Sequence, residues 1–184
     1  MLMLPSLAGA FCFEEAGRLY GVNPRLLQGI ASVESDLNPA AINRNRNGSF
    51  DLGLMQINSF WLKSLGTSAQ DLIDKPCYNV KVGAWILSGC LNRHGENWQA
   101  IGCYNAAGHD KQVNYSWKIY RELLKGTTTA AGKDRPASTA ALAGRLRTPP
   151  SQGDAQADRG FDGAEKSTAV PAVSSINVSI TEKE

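Results

Sequence analysis

The last 59 residues of this chain carry a single aromatic side chain, Phe161, so any hydrophobic core has to be assembled from the first 125. From Gly126 onward Thr, Ala, Ser, Gly and Pro dominate, and seven Lys and Arg are matched by seven Asp and Glu. Too little apolar surface is available there to offset the entropy of ordering the chain. The composition predicts one folded domain over 11–125 and a disordered low-complexity tail over 126–184. Within that tail a transient helical turn at 140–147 and a short extended piece at 170–180 are the most that is expected.

The net charge of +2 argues against a nucleic-acid binder and supplies no polybasic membrane patch. No stretch approaches the roughly 20 apolar residues of a membrane span. Residues 1–10 are apolar and end in Ala8-Gly9-Ala10, the small-x-small pattern of a signal-peptidase site, and are read as the remnant of a signal peptide. They lack a basic flank and are short, which leaves an upstream start or a trimmed leader open. A lipid anchor on Cys12 is disfavoured by bulky Phe11 before it. Four cysteines, Cys12, Cys77, Cys90 and Cys103, fall in the first 103 residues, and an even number in an exported domain favours disulfides. Zinc competes poorly, because no C-x-x-C pair exists and His94 and His109 share no helical face with a cysteine pair. Unpaired core cysteines are the reading for a chain that stays in the cytoplasm.

The first 125 residues read as mostly helical. A helix from Cys12 to Tyr20 closes at Gly21, and Asn23-Pro24 is an N-cap followed by proline at the first helical position. The next helix runs to about Asp36, stopped by Asn38-Pro39. Its stripe of Leu26, Leu27, Ile30 and Val33 leads to Glu34, four residues after Ile30, which places that carboxyl on the edge of the buried face. The polar stretch from Ile42 to Asp51 around Asn47-Gly48 predicts a tight hairpin. Leu54 to Leu65 reads as helix. A long helix follows Lys75-Pro76, with a stripe of Val80, Ala84, Leu87 and Leu91, and ends at Gly95. Further helices fit Trp98 to Asn105 and Tyr115 to Leu124. Trp61, Trp85, Trp98 and Trp117 fall in apolar patterns and read as core, with Trp61 the best candidate for stacking on a sugar.

A carboxyl driven against apolar neighbours keeps its proton near neutral pH, which is what a general acid for breaking a glycosidic bond requires. Alone, Glu34 would read as a solvated helix residue. Glu34-Ser35 before Asn38-Pro39, then Gly53-Leu54-Met55-Gln56-Ile57-Asn58, then Cys103-Tyr104-Asn105-Ala106-Ala107, then Tyr115 with Ile119 change that weighing. Their order and spacing resemble the soluble lytic transglycosylase family, over residues 12 to about 124. Within it the chain is most similar to members encoded with conjugation, type IV secretion and pilus systems.

The resemblance implies a mainly α, lysozyme-like (α+β) domain with a small β-hairpin, working in the periplasm as a monomer on peptidoglycan glycan strands without metal or cofactor. It makes Glu34 the catalytic acid and base, with Ser35 steadying the carboxyl. Gly53 would let the backbone pass close to the sugar, and Met55, Gln56 and Asn58 would line the groove. Tyr104 and Asn105 would shape the opposite wall, and Tyr115 would aim its hydroxyl at the active centre. For Met55 and Ile57 core packing is the alternative, and for Ile57 it is the simpler reading; Tyr104 fits core and groove equally. The implied product is a 1,6-anhydro sugar, from cleavage between N-acetylmuramic acid and N-acetylglucosamine that opens the wall for a transport apparatus. The pairing Cys12 with Cys77 rests on the resemblance. Cys90 with Cys103 also fits a turn at Gly95 that lays two helices side by side.

The stretch from Asn43 to Ser59 with Trp61 also resembles the hairpin of animal-type lysozymes, and the Glu34-to-Asp51 spacing matches theirs. Asp51 is therefore a possible second carboxylate, and a hydrolase using Glu34 and Asp51 is the enzymatic alternative. The structural reading of Asp51 is a hairpin residue bonded to local backbone or to Arg44 or Arg46. A non-cleaving wall-binding adaptor whose tail recruits secretion components is the alternative from another class.

Overall fold

A computed structural model describes residues 11–105 and 108–128, with no side chain described beyond Lys125. The expected signal-peptide remnant, Ala106, Ala107 and the tail beyond Thr128 lie outside the described residues. Seven helices and a three-stranded antiparallel sheet are arranged in the order α1 (Phe13–Tyr20), α2 (Pro24–Ser35), β1 (Ile42–Arg44), β2 (Phe50–Leu52), β3 (Ile57–Asn58), α3 (Trp61–Leu65), α4 (Ala69–Asp74), α5 (Pro76–His94), α6 (Trp98–Asn105) and α7 (His109–Thr128) among those residues. This mostly helical architecture with a small sheet is the lysozyme-like class expected.

The element that carries Glu34 is fixed at both ends by local chemistry. The Asn23 side chain accepts the Arg25 N–H at 2.9 Å, and Pro24 occupies the first helical position, where its missing N–H costs nothing. The stop comes before Asn38-Pro39. Asp36 and Leu37 both take positive φ, at 53° and 60°, and their N–H groups return to the carbonyls of Ser32 and Ala31, closing the helix as a glycine usually would. Leu26, Leu27, Ile30 and Ala31 are buried, and α2 packs against α1, α5 and α7. α5 is central, touching α1, α2, α4, α6 and β3. The Cys12–Cys77 disulfide ties the start of α1 to α5, and Cys90–Cys103 ties α5 to α6. Each such bridge contributes roughly 2–5 kcal/mol by restricting the unfolded chain.

The hairpin is looser than a two-residue turn. Register pairs Arg44 with Phe50 and Ile42 with Leu52, so residues 45–49 connect the strands, and only Gly48, at φ 86°, takes the left-handed conformation. The helix expected from Leu54 to Leu65 is not formed over its first half. Leu54, Met55 and Ile57 are all at most 1% exposed, a burial that a one-sided surface helix cannot give. The backbone instead turns at Gly53 and Gln56, with φ of 72° and 46°, and Ile57 pairs with Leu52 to add the third strand. α4 was not expected, although Ser68 and Asp71 form a reciprocal capping box at its start. α7 begins six residues earlier than expected and runs two past Gly126. Of the four tryptophans only Trp98 is buried; Trp61, Trp85 and Trp117 are partly exposed.

Candidate active site

Glu34 stands in the last turn of α2, and its carboxyl is largely shielded by the core edge to which the Leu27–Ile30 stripe delivers it. Burial is the main reason its pKa is raised from the ordinary 4.5 to about 7, since leaving water penalises the charged form. The Tyr115 hydroxyl, from α7, donates to its Oε1 at 2.5 Å and opposes that shift. The charge of Asp51 pushes the same way as burial, and Lys118, one turn after Tyr115, pulls against it. The carboxyl is thus poised between its acid and base forms at neutral pH.

Tyr115 is buried and Tyr104 partly so; their rings lie 6.4 Å apart and 24° from parallel. Burial, followed by the nearby Glu34 charge, raises both phenols well above 10, so both remain donors. Tyr104 spends its proton on the Met55 carbonyl at 2.7 Å. Asn105 ends α6 with an exposed side chain.

Asp51 is held by the hairpin. Its Oδ1 accepts from the Asn58 amide at 2.7 Å and its Oδ2 from the Asn45 amide at 2.9 Å. The expected partners Arg44 and Arg46 are replaced by two neutral amides. Asn58 also donates to Ser49 Oγ and accepts the Phe60 N–H, so its side chain ties the hairpin together as well as holding Asp51.

Four of the residues expected at the site have other work. Ser35 does not touch the Glu34 carboxyl: its hydroxyl donates to the carbonyls of Ala31 at 3.1 Å and Leu54 at 2.9 Å, tying the end of α2 to the sheet turn. Gly53 is buried, and a Cβ there would lie 2.6 Å from the Leu72 carbonyl oxygen and closer still to the Asn79 amide. Its missing side chain is required by internal packing. Met55 is also enclosed, lying against Gly83, where any Cβ would meet its methyl at 2.7 Å; its side chain is core. Gln56 braces its own turn, donating to the carbonyls of Gly53 and Ala41 and accepting from Asn43.

Two residues escaped the sequence reading. Asn79 is fully enclosed on α5 and bonded to the turn between β2 and β3; its one signal was a polar residue in phase with the buried Gly83 and Leu87. Phe60, 66% exposed, lies over Trp61 with ring centroids 4.8 Å apart, and so presents more open aromatic surface than Trp61. Among the described residues one set of metal-ligand types converges, Cys12, Glu15 and Cys77, and both its sulfurs are spent in a disulfide. A depression of about 700 Å³ lined by Arg25, Gln28, Ser32 and Glu122 lies on the other side of α2 and does not include Glu34.

A family model described as the transglycosylase SLT domain matches residues 11–119. Invasion protein IagB of Salmonella typhimurium (strain SL1344) is 41% identical over 150 residues, covering 76% of this chain and 92% of the relative. Protein IpgF of Shigella flexneri is 38% identical over 132 residues, covering 68% and 87%. A peptidoglycan-binding-like protein of Escherichia coli O157:H7 is 41% identical over 129 residues, covering 62% and 77%.

Proposed function

Since the chain belongs to the transglycosylase SLT family and is a lytic transglycosylase, we propose that it cleaves the β-1,4 bond between N-acetylmuramic acid and N-acetylglucosamine with Glu34 as sole acid and base. Protonated Glu34 gives its proton to the glycosidic oxygen, and the bond to the muramoyl anomeric carbon breaks. The carboxylate left behind takes the proton from the 6-hydroxyl of the same sugar, whose oxygen closes on the anomeric carbon. One proton leaves Glu34 and one returns; no water is consumed, and the new end is a 1,6-anhydro sugar.

What supports this reading is the contrast in hydrogen bonding between the two carboxyls. Glu34 keeps an oxygen with no protein donor beside a single tyrosine hydroxyl among the described residues, whereas both Asp51 oxygens are engaged by amides. Mass spectrometry of digested peptidoglycan tests it: muropeptides lighter by one water are expected, and ordinary reducing ends would promote the hydrolase using Glu34 and Asp51.

The substrate implies action outside the cytoplasm, in the periplasm, and two disulfides suit that compartment. No helix among the described residues is long and apolar enough to cross a membrane. One relative carries the name invasion protein, which supports a role in opening the wall locally for a secretion, conjugation or pilus apparatus. The catalytic unit is proposed to end with α7. A chain stopped after Thr128 is expected to keep both its melting temperature and its wall-cleaving rate, and a clear drop in either would move the boundary into the tail.

A further inference from the structure

The turn between β2 and β3 rests on a side chain that takes no part in the chemistry. Asn79 is 0% exposed, yet its amide is almost fully paired. Nδ2 donates to the carbonyls of Leu52 at 2.8 Å and Leu72 at 2.9 Å, and Oδ1 accepts the Met55 N–H at 2.8 Å. Both of its N–H groups and one oxygen lone pair are in use, which is the condition on which a buried amide is tolerated. The stretch from Leu52 to Met55 lies directly on it, with Gly53 too close to Asn79 to admit a Cβ.

From that stretch two routes lead to Glu34. The Leu54 carbonyl receives the hydroxyl of Ser35, the residue after Glu34, at 2.9 Å. The Met55 carbonyl receives the Tyr104 hydroxyl at 2.7 Å; the Tyr104 ring lies along that of Tyr115, whose hydroxyl holds the Glu34 carboxyl. The two routes reach Glu34 from its own helix and from the helices facing it.

We propose that Asn79 is a positioning residue for the reaction, clamping Leu52–Met55 so that their carbonyls fix Ser35 and Tyr104 and, through these, the place and shielding of the Glu34 carboxyl. It rests on Glu34 being the acid and base. A clamp that served folding alone would lower stability and leave the behaviour of Glu34 in folded molecules unchanged.

The test follows the ¹³C-carboxyl titration of Glu34 together with kcat and KM in the full chain. Asn79→Leu keeps much of the volume but makes none of the three bonds, and Asn79→Ala removes side chain and bonds together. As water reaches the loosened site, the Glu34 midpoint is expected to fall by about one pH unit. kcat should drop on the order of 10- to 100-fold, as for a reacting group displaced by a fraction of an ångström to an ångström, with KM little changed. Folded variants with unaltered titration and kcat overturn the proposal. Should neither variant fold, Tyr104→Phe releases the same loop from its other tie: a midpoint shift in the same direction and a loss of kcat support the clamp, and an unaltered profile overturns it. Failure of the catalytic reading looks different, because Glu34→Gln would then stay active in the unmodified background whatever the Asn79 variants do.

Discussion

The two interacting carboxylates, Glu34 and Asp51, are built on opposite principles. Glu34 lies in the last turn of a helix whose apolar stripe is packed against α1, α5 and α7, and it keeps one hydrogen-bond donor in a shielded place. Asp51 lies on a small sheet, in a mesh of amides and hydroxyls from Asn45, Ser49 and Asn58. Withdrawal from water with few partners makes a carboxyl an acid-base device. Engagement of both oxygens by neutral donors makes it a brace whose charge acts on its neighbour.

The largest effect should come from breaking the first half of that contrast. Glu34→Gln keeps the volume and the bond from Tyr115 but has no proton to exchange, and wall cleavage is expected to fall by roughly 10²- to 10⁴-fold. The folded protein holds the Glu34 proton more tightly than the unfolded chain, about 7 against 4.5. Its stabilising contribution is complete below pH 4.5 and is lost as pH rises to 7, a change of roughly 3 kcal/mol. Glutamine escapes that loss, so the variant should melt above the parent at pH 8, and the gap should close near pH 4.5. An inactive variant that is no more stable at pH 8 would mean that Glu34 is not shielded as described.

Asp51→Asn strikes the other half. An added amide would confront the Asn45 or Asn58 donor, and one mismatched bond costs about 1–3 kcal/mol. Turnover is expected to fall only about tenfold, equivalent to ~1.4 kcal/mol of barrier, with anhydro products retained. A loss as deep as that of Glu34→Gln would assign Asp51 to the reaction itself and erase the contrast.

The unequal legibility of these regions in the sequence has the same origin. Glu34 could be found because helix spacing, the Asn23-Pro24 start and the apolar stripe are local signals that agree. The Ser68–Asp71 capping signature was equally local, and α4 could have been read from it. The third strand could not, because Leu54 to Ile57 is an apolar run too short to separate strand from helix, and its turn is decided by Asn79, more than 20 residues away. For Ser35, Gly53 and Met55 the sequence indicates the neighbourhood but not the internal partners. Their contacts are with Leu54, Leu72 and Gly83, and such pairings exist only once the chain has packed.

The finest test uses the sign of a pH shift. Loss of cleavage as pH rises should track ionisation of Glu34, because only the protonated carboxyl can donate to the leaving oxygen. The Tyr115 bond lowers the Glu34 pKa and the Asp51 charge raises it. Tyr115→Phe leaves the ring in place but removes that bond, so the alkaline limb should move up from about 7, with only a few-fold fall in the acid-side rate because one positioning contact is lost. Asp51→Asn removes a repulsive charge, so the same limb should move down. Opposite movements in two conservative variants would identify one carboxyl, gripped by a donor on the helical side and pressed by a charge on the hairpin side. Movement in the same direction, or none in either variant, would show that the pH dependence belongs to a different group.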